Sequence, residues 1–376
     1  MANIMVGKRV LITGATDGIG RYAARELAML GAEVIVVGRS KQKAEETVRE
    51  IDAYSQKYAA SYLLADLSSM AEVRQLAADF KSKFSRLDVL VNNAGSAFLM
   101  RTLSVDGFEK TFALNHLAYF LLTELLLDVL KASAPSRVVN VSSGSHKRGE
   151  INFEDLDLKK GYFVMKAYSQ SKLANVMHAY QLARRLSGSG VTANVLHPGL
   201  VKTGIFRKVP VVGPIADLVV RNRDRAVSVA EGAETIIYLA SSSEVENVTG
   251  NYFVKSRAVK SSPESYRLNA QERLWRASAD RVGFVKTETK VIFKRMLGFL
   301  EQFQAGELSF SQMVEGMEFL YKEISDEIST DFSDGWNKYW GGLEVIFALS
   351  TMETTINPSD EEVDGLRKII LKELDK

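Results

Sequence analysis

The stretch Val10-Leu11-Ile12-Thr13-Gly14-Ala15-Thr16-Asp17-Gly18-Ile19-Gly20 passes from a β-branched run through glycines into the helical run Arg21 to Leu30. Glycines belong where a chain turns tightly and its backbone approaches an anion, and the helix that follows points its positive end at that anion. Alone, Gly14-x-x-x-Gly18-x-Gly20 also suits an ordinary strand-to-helix turn. Its context decides, because the loop follows the first of a series of strands. Val34-Ile35-Val36-Val37, Tyr62-Leu63-Leu64, Val89-Leu90-Val91, Val138-Val139-Asn140-Val141, Val191 to Leu196 and Tyr252-Phe253-Val254 alternate with segments of helical period, such as Ala23, Leu27, Leu30 and Val73, Leu76, Phe80. This alternation predicts an α/β fold: a doubly wound parallel sheet of the Rossmann type, with helices on both faces and ligands at the carboxyl ends of the strands.

The alternation stops near Gly283. Beyond it the pattern predicts helices over Glu288 to Gln304, Ser309 to Ile328, Asp334 to Met352 and Ser359 to Leu374. Ser309 with Gln312 and Ser359 with Glu362 have capping-box spacing. Ile292, Met296, Phe299, Phe303 and Phe310, Met313, Met317, Leu320, Ile324 keep helical period. The expected organisation is a Rossmann-type domain over 1–285 and a small all-α C-terminal module over 286–376, a helical bundle large enough to fold by itself. Charge divides in the same way. Residues 1–285 carry +10 and residues 286–376 carry −8, and together they give the formal net charge of +2.

With 46% hydrophobic and 25% charged residues, the 376-residue chain has a globular composition. It contains no cysteine, which excludes disulfides, thiolate nucleophiles, cysteine-rich zinc sites and most iron–sulfur sites. His116, His146, His178 and His197 share no metal-ligand spacing, so no metal is expected. The first strand begins almost at Met1, leaving no room for an export signal. Tyr119 to Leu130 and Val209 to Val220 are interrupted by Glu124 and Asp128, or by Pro214 and Asp217, and fall short of the roughly 20 apolar residues of a membrane span. The expectation is a cytoplasmic protein with no transmembrane segment and no direct nucleic-acid partner.

Gly38-Arg39-Ser40 ends the second strand, where an NAD-selective fold places a carboxylate for the ribose hydroxyls. An Arg and a hydroxyl there suit a 2′-phosphate instead, so NADP(H) is expected over NAD(H). The plainer reading of Arg39 is a solvated charge after a strand. Position 17 is acidic, so the phosphate preference rests mainly on Arg39. Further along, Tyr168-Ser169-Gln170-Ser171-Lys172 places a phenol and an ammonium at i and i+4, on one helix face. A phenol titrates near pH 10, and a neighbouring ammonium would lower that value toward the range of a useful acid/base.

Thr13-Gly14-x-x-x-Gly18-Ile19-Gly20, Asp66-Leu67, Asn92-Asn93-Ala94-Gly95, Asn115, Val141-Ser142-Ser143, Tyr168-x-x-x-Lys172 and His197-Pro198-Gly199 occur in an order and spacing that resemble the short-chain dehydrogenase/reductase family over about residues 7–283. Asn115-His116-Leu117, the long Ser143 to Tyr168 interval, Ser171-Lys172-Leu173-Ala174-Asn175 and Gly250-Asn251-Tyr252-Phe253 resemble its retinol dehydrogenase-like branch. The resemblance implies that Tyr168 exchanges a proton with the substrate oxygen and that Lys172 lowers its pKa while bonding the nicotinamide ribose. Ser143, rather than Ser142, would hold the substrate oxygen, and Asn115 would position a water linking Lys172 to solvent. Cofactor contacts would come from Gly14, Thr16, Asp17, Gly18 and Ile19, from Arg39, from Asp66 and Leu67 at the adenine, from Asn93, Ala94 and Gly95, and from Pro198, Gly199 and Thr203 at the nicotinamide end. Singly, Asn115 also reads as a core amide, Ser143 as a strand-end cap and Asp66 as a helix cap.

Leu200 to Arg225 is rich in apolar residues, among them Ile205, Phe206, Val209 and Leu218, and in the family this segment forms a lid over the substrate. With Phe98, Leu99 and Phe163 it implies an apolar alcohol or carbonyl substrate. Packing on a second subunit or on its own domain, and shallow membrane contact, are the alternatives. In the acidic module the stretch Phe299 to Phe319, with Gly306-Glu307-Leu308-Ser309, weakly resembles bacterial immunity proteins of the colicin D type. It suits either a basic protein partner or a wet surface on a bundle that serves homo-oligomerisation. Trp336, Tyr339 and Trp340 read as a binding hot spot or as the bundle core. Two functions follow: an NADP(H)-dependent oxidoreductase with a Ser-Tyr-Lys mechanism, or a binding protein in which the acidic helical C-terminal module is the functional end and the dinucleotide fold a scaffold or redox sensor.

Overall fold

The computed structural model describes residues 4–55, 60–201, 226–284, 287–324, 328–350 and 358–374. Six parallel strands form the body of the sheet: β1 (Arg9–Thr13), β2 (Glu33–Gly38), β3 (Ser61–Leu64), β4 (Val89–Asn92), β5 (Ser136–Val141) and β6 (Val191–His197). A separate short pair, β7 (Leu200–Val201) and β8 (Ala226–Val227), is also parallel. Next come β9 (Tyr252–Val254), parallel to β6, and β10 (Arg257–Val259), antiparallel to β9. The order is β10-β9-β6-β5-β4-β1-β2-β3, so strand succession reverses between β1 and β4, and a crevice at the carboxyl ends of those strands is the ligand site of such sheets.

The strands read as nearly unbroken apolar runs because both faces are covered. On one face Val10, Ile12, Val34, Val36, Val89 and Val91 pack with Ala23, Ala24 and Leu27 of α1 (Gly18–Met29), with Ile51 of α2 (Lys41–Ser55) and with Ile236 and Leu239. Leu11, Ile35 and Leu90 alternate to the other face and are equally buried. Helices on that side include α3 (Met70–Lys83), the short α4 (Lys110–Phe112), α5 (Ala118–Ala132) and α6 (Val164–Arg185); α5 packs on β4 and β5, and α6 on β5 and β6. Ile236 and Leu239 belong to α7 (Val229–Ser241).

Lys110–Ala132 runs as 23 helical residues. This is longer than the apolar stretch read from the sequence, and long and apolar enough to cross a membrane, because Glu124 does not break the helix. In the fold, 72% of its most apolar window is buried inside the protein.

Two compact units are present, Met1–Leu274 and Trp275–Lys376. The division falls within α8 (Leu268–Val282), ahead of the expected boundary at 285/286, and a boundary inside a continuous helix leaves no mark in composition. The second unit contains α9 (Thr287–Gln304), α10 (Phe310–Ile324), α11 (Thr330–Ser350) and α12 (Asp360–Leu374) around one core that includes Phe293, Met317, Trp336 and Leu366. Ser309 and Gln312 form their reciprocal cap, at 3.0 and 3.3 Å, and Ser359 bonds the Glu362 carboxylate. α11 starts four residues before Asp334 because the Ser329 hydroxyl caps the Phe332 N–H at 3.1 Å. Trp336 stacks between Tyr321 and Trp340, with centroids 4.4 and 4.5 Å away, and is 1% exposed. The tryptophans therefore belong to the core of this unit.

Candidate active site

β1 ends on Thr13, whose buried hydroxyl accepts the backbone N–H groups of Asn93 (2.8 Å) and Ala94 (3.1 Å). The Asn93 side chain donates to the carbonyls of Thr13 (2.8 Å) and Gly14 (3.3 Å). The loops after β1 and β4 are thus stitched together where the strand order reverses. Such proximity demands glycine. Gly14 has φ +67°, and a Cβ there would lie 2.8 Å from Ala94 Cα; a Cβ on Gly20 would lie 2.4 Å from Asn93 Nδ2 and 2.6 Å from the Gly14 oxygen. Thr16 packs under the end of β2, where a Cβ on Gly38 would meet its methyl at 2.4 Å, and Ile19 is half-buried. Asp17 caps α1 by accepting from Gly18 N at 2.8 Å, so its carboxylate is engaged with the helix start.

At the next two strand ends, Arg39 and Asp66 form a long ion pair of 3.5 Å. The Arg39 side chain is 54% exposed, leaving most of its donors open to solvent. Asp66 accepts from the Ser68 backbone and hydroxyl at 3.0 and 2.8 Å. Burial raises its pKa, but the two Ser68 bonds and Arg39 outweigh burial and hold it below the ordinary carboxylate value. Ser69, not Asp66, caps α3, and Leu67 is buried.

The second cluster lies beyond β5. Ser142 donates its hydroxyl to the Lys172 carbonyl at 2.7 Å and is buried, so it fastens α6 to the sheet. Ser143 caps the 3-10 turn Gly144–Arg148 and accepts from the Ser145 hydroxyl at 3.0 Å, and its side chain lies near enough to Tyr168 to act on the phenol. Tyr168 and Lys172 share a face of α6, with the ammonium nitrogen 5.8 Å from the phenol ring and 5.6 Å from the ring of Tyr119. Lys172 Nζ donates to the Val141 carbonyl at 3.0 Å. Burial lowers its pKa to about 7. Burial also raises the Tyr168 pKa, with the Ser143 side chain opposing. The net shift of the phenol is therefore upward rather than the lowering expected from a neighbouring ammonium, because burial outweighs the groups that favour its charged form.

Asn115 sits in a π turn, Ala113–Leu117, between α4 and α5; such turns are frequent at functional sites. Its side chain accepts from Ser96 N (2.9 Å) and donates to Ser96 O and Ser171 Oγ (3.0 Å each), so its amide braces the loop after β4 against α6. Gly95 lies beside the same cluster, and a Cβ there would be 3.2 Å from Asn115 Oδ1 and 3.3 Å from Lys172 Nζ. After β6, Pro198 is half-buried and Gly199 has φ +89°. Thr203 and the lid residues 202–225 lie outside the described residues. The Phe98 carbonyl accepts from the Tyr162 hydroxyl at 2.5 Å, while Leu99 and Phe163 are 40% and 61% exposed.

The family model for short chain dehydrogenases matches residues 8–210. The chain belongs to this family. Within it, the match is to the retinol dehydrogenase-like branch. Mouse Retinol dehydrogenase 14 is 42% identical over 301 residues, covering 75% of this chain and 88% of its own, and human Polyprenol dehydrogenase is 40% identical, covering 73% and 84%. Among solved structures, the RhlG/NADP active-site complex of Pseudomonas aeruginosa is 30% identical with TM-score 0.54, covering 67% of this chain and 96% of its own. An uncharacterised Mycobacterium paratuberculosis protein is 32% identical with TM-score 0.60, covering 74% and 94%.

Two side chains that organise this short-chain dehydrogenase site were given no role from the sequence, although Thr13 stands in the glycine motif. Thr13 holds the β4 loop through its hydroxyl, and Tyr119 donates to Ala94 O at 2.8 Å while facing Lys172. For Tyr119 a signal existed, since it follows Asn115 by four positions. For Thr13 the motif marks the position but not the bonds, because its partners are some eighty residues away.

Proposed function

We propose that this chain is an NADP(H)-dependent oxidoreductase that interconverts an apolar alcohol with its aldehyde or ketone, using Ser143, Tyr168 and Lys172. The observation that carries the reading is the convergence of these three side chains at the carboxyl end of β5, with Lys172 buried behind the phenol and bonded to the Val141 carbonyl. A scaffold would have no reason to bury Lys172. The residues suit a dinucleotide: bare glycines line the junction of the β1 and β4 loops, the N-terminus of α1 follows, and Arg39 keeps free donors at the end of β2 for a 2′-phosphate.

A bound nicotinamide supplies or accepts the hydride, and the chain supplies the rest. Ser143 Oγ donates a hydrogen bond to the substrate oxygen and orients it beside Tyr168. A phenol held above its ordinary pKa is protonated at neutral pH, which fits Tyr168 as the acid that protonates this oxygen during reduction. Lys172 lies behind the phenol and stabilises the phenolate left by that transfer. The names of the retinol and polyprenol relatives support an apolar substrate, as do the exposed Leu99 and Phe163. Work in the cytoplasm belongs to the same proposal: a chain without cysteine has no disulfide that would need an oxidising compartment.

The test is NADPH oxidation with a panel of apolar aldehydes and ketones. Tyr168→Phe should lower turnover by about 10²- to 10⁴-fold with NADPH affinity retained. Turnover unaffected by Tyr168→Phe would overturn the mechanism, and no NADPH binding by the intact chain would overturn the function.

A further inference from the structure

His146 lies in the 3-10 turn immediately after Ser143 and is fully buried. Its Nδ1 is 2.7 Å from the Ser143 carbonyl oxygen, and its Nε2 is 3.2 Å from the backbone nitrogen of Ser262. A carbonyl can only accept and a backbone N–H can only donate. The two partners therefore dictate one state of the ring: neutral, with the proton on Nδ1. The same carbonyl also accepts the His146 backbone N–H at 3.1 Å, so Ser143 is held by two donors from one residue.

The far anchor of the ring is itself fixed. Ser261 bonds Tyr180 of α6 at 2.7 Å, the Ser265 hydroxyl donates to Ser262 O at 2.6 Å, and Gln271 donates to Ser265 O at 2.6 Å. α6 also carries Tyr168 and Lys172. His146 thus ties the backbone of Ser143 to a segment fastened on the same helix as the other two members of the site.

We propose that His146 is a positioning residue for Ser143: its neutral Nδ1–H tautomer fixes the serine backbone, and with it the direction in which the Ser143 hydroxyl meets Tyr168 and the substrate oxygen. The proposal rests on the oxidoreductase reading above, since that reading gives the hydroxyl its task. Lys147 on the same turn, His197 at the end of β6 and Tyr252 on β9, whose ring lies 4.8 Å from the imidazole, are the titratable groups around it. Burial lowers the ring's pKa and Lys147 adds to this, against the Ser143 carbonyl. A proton forced onto Nε2 at acid pH must displace the Ser262 N–H.

The experiment measures NADPH-dependent reduction of an apolar aldehyde against pH for the full chain, His146→Asn, His146→Phe, Ser143→Ala and the double variant His146→Phe/Ser143→Ala. Asparagine can present an N–H near the place of Nδ1, whereas phenylalanine removes both polar atoms. We expect His146→Phe to lower kcat by about tenfold or more with NADPH affinity kept. His146→Asn should recover most of kcat and lose the acid limb of the wild-type profile. The double variant should be no slower than Ser143→Ala, because the histidine acts only through the serine.

Additive losses, or a failure of asparagine to restore kcat while NADPH still binds, would overturn the proposal and leave the oxidoreductase reading standing. Full turnover in Ser143→Ala would overturn both. Should the phenylalanine variant fail to fold, the nitrogen-15 shifts of the wild-type imidazole decide. A ring protonated on Nε2, or averaging between tautomers at neutral pH, would sink the proposal.

Discussion

Replacing Lys172 by methionine should make the protein more stable at neutral pH while abolishing turnover. Lys172 is 3% exposed, and burial lowers its pKa from 10.5 to about 7. Between those two values the unfolded chain holds a proton that the folded chain has released, so stability rises with pH across that window. The displacement corresponds to a destabilisation on the order of 5 kcal/mol, fully present below the folded value and gone above the unfolded one. Methionine keeps the length and carries no such penalty. It leaves the Val141 carbonyl without its 3.0 Å bond, at a cost of about 1 kcal/mol. The net gain at neutral pH is then about 3 to 4 kcal/mol, roughly 10 °C in the unfolding midpoint of a domain of this size. Thermal unfolding of both proteins, at neutral pH and at about pH 9.5, reads it directly. An unchanged or lower midpoint at neutral pH, or a gain that fails to shrink as pH rises, would refute the account of Lys172 as a charge buried at the expense of stability.

Arg39→Ala should cost NADPH about tenfold or more in kcat/KM, the loss of a charge-assisted phosphate contact, and leave NADH nearly untouched; equal losses for the two cofactors would contradict the assignment. Gly20→Ala must push apart Asn93 and the Gly14 carbonyl. It should lower stability by about 2 to 4 kcal/mol, from overpacking and the lost Asn93 bonds, and weaken NADPH binding, both measurable in one thermal-shift titration. Trp336→Ala should cost the second unit about 3 to 5 kcal/mol without changing NADPH affinity, so a loss of NADPH binding would contradict its placement in a separate core. Residues 275–376 expressed alone should give a cooperative helical melt, which a featureless far-ultraviolet spectrum would rule out.

The parallel sheet was legible because a strand covered on both faces has to be apolar throughout, and Val34 to Val37 or Val138 to Val141 have few alternatives. The helices of the second unit were legible from period and caps, and Ser309 with Gln312 forms the bond its spacing implies. The start of α11 was missed because Ser329, which caps it, is followed three residues later by Phe332 and not by the Glu or Gln that completes a capping box. The division at Leu274/Trp275 was missed because it cuts a helix. In the candidate site, Tyr168 and Lys172 could be paired from helical spacing alone. Their electrostatics could not, since the expectation that the ammonium lowers the phenol assumes that both stay solvated.

Local rules therefore carried far. Spacing along one chain was enough to place the glycine loop after a strand and the phenol and ammonium on one helix face. What needed the folded chain was everything that depends on residues distant in sequence meeting in space. The Thr13 hydroxyl bridges to Asn93, Asn115 reaches Ser171, and the His146 ring is held between Ser143 and Ser262. The same distinction governs charge. A pKa is set by how much water the surrounding fold removes, so the value of about 7 at Lys172 belongs to its burial against β5 and not to the motif in which it is written.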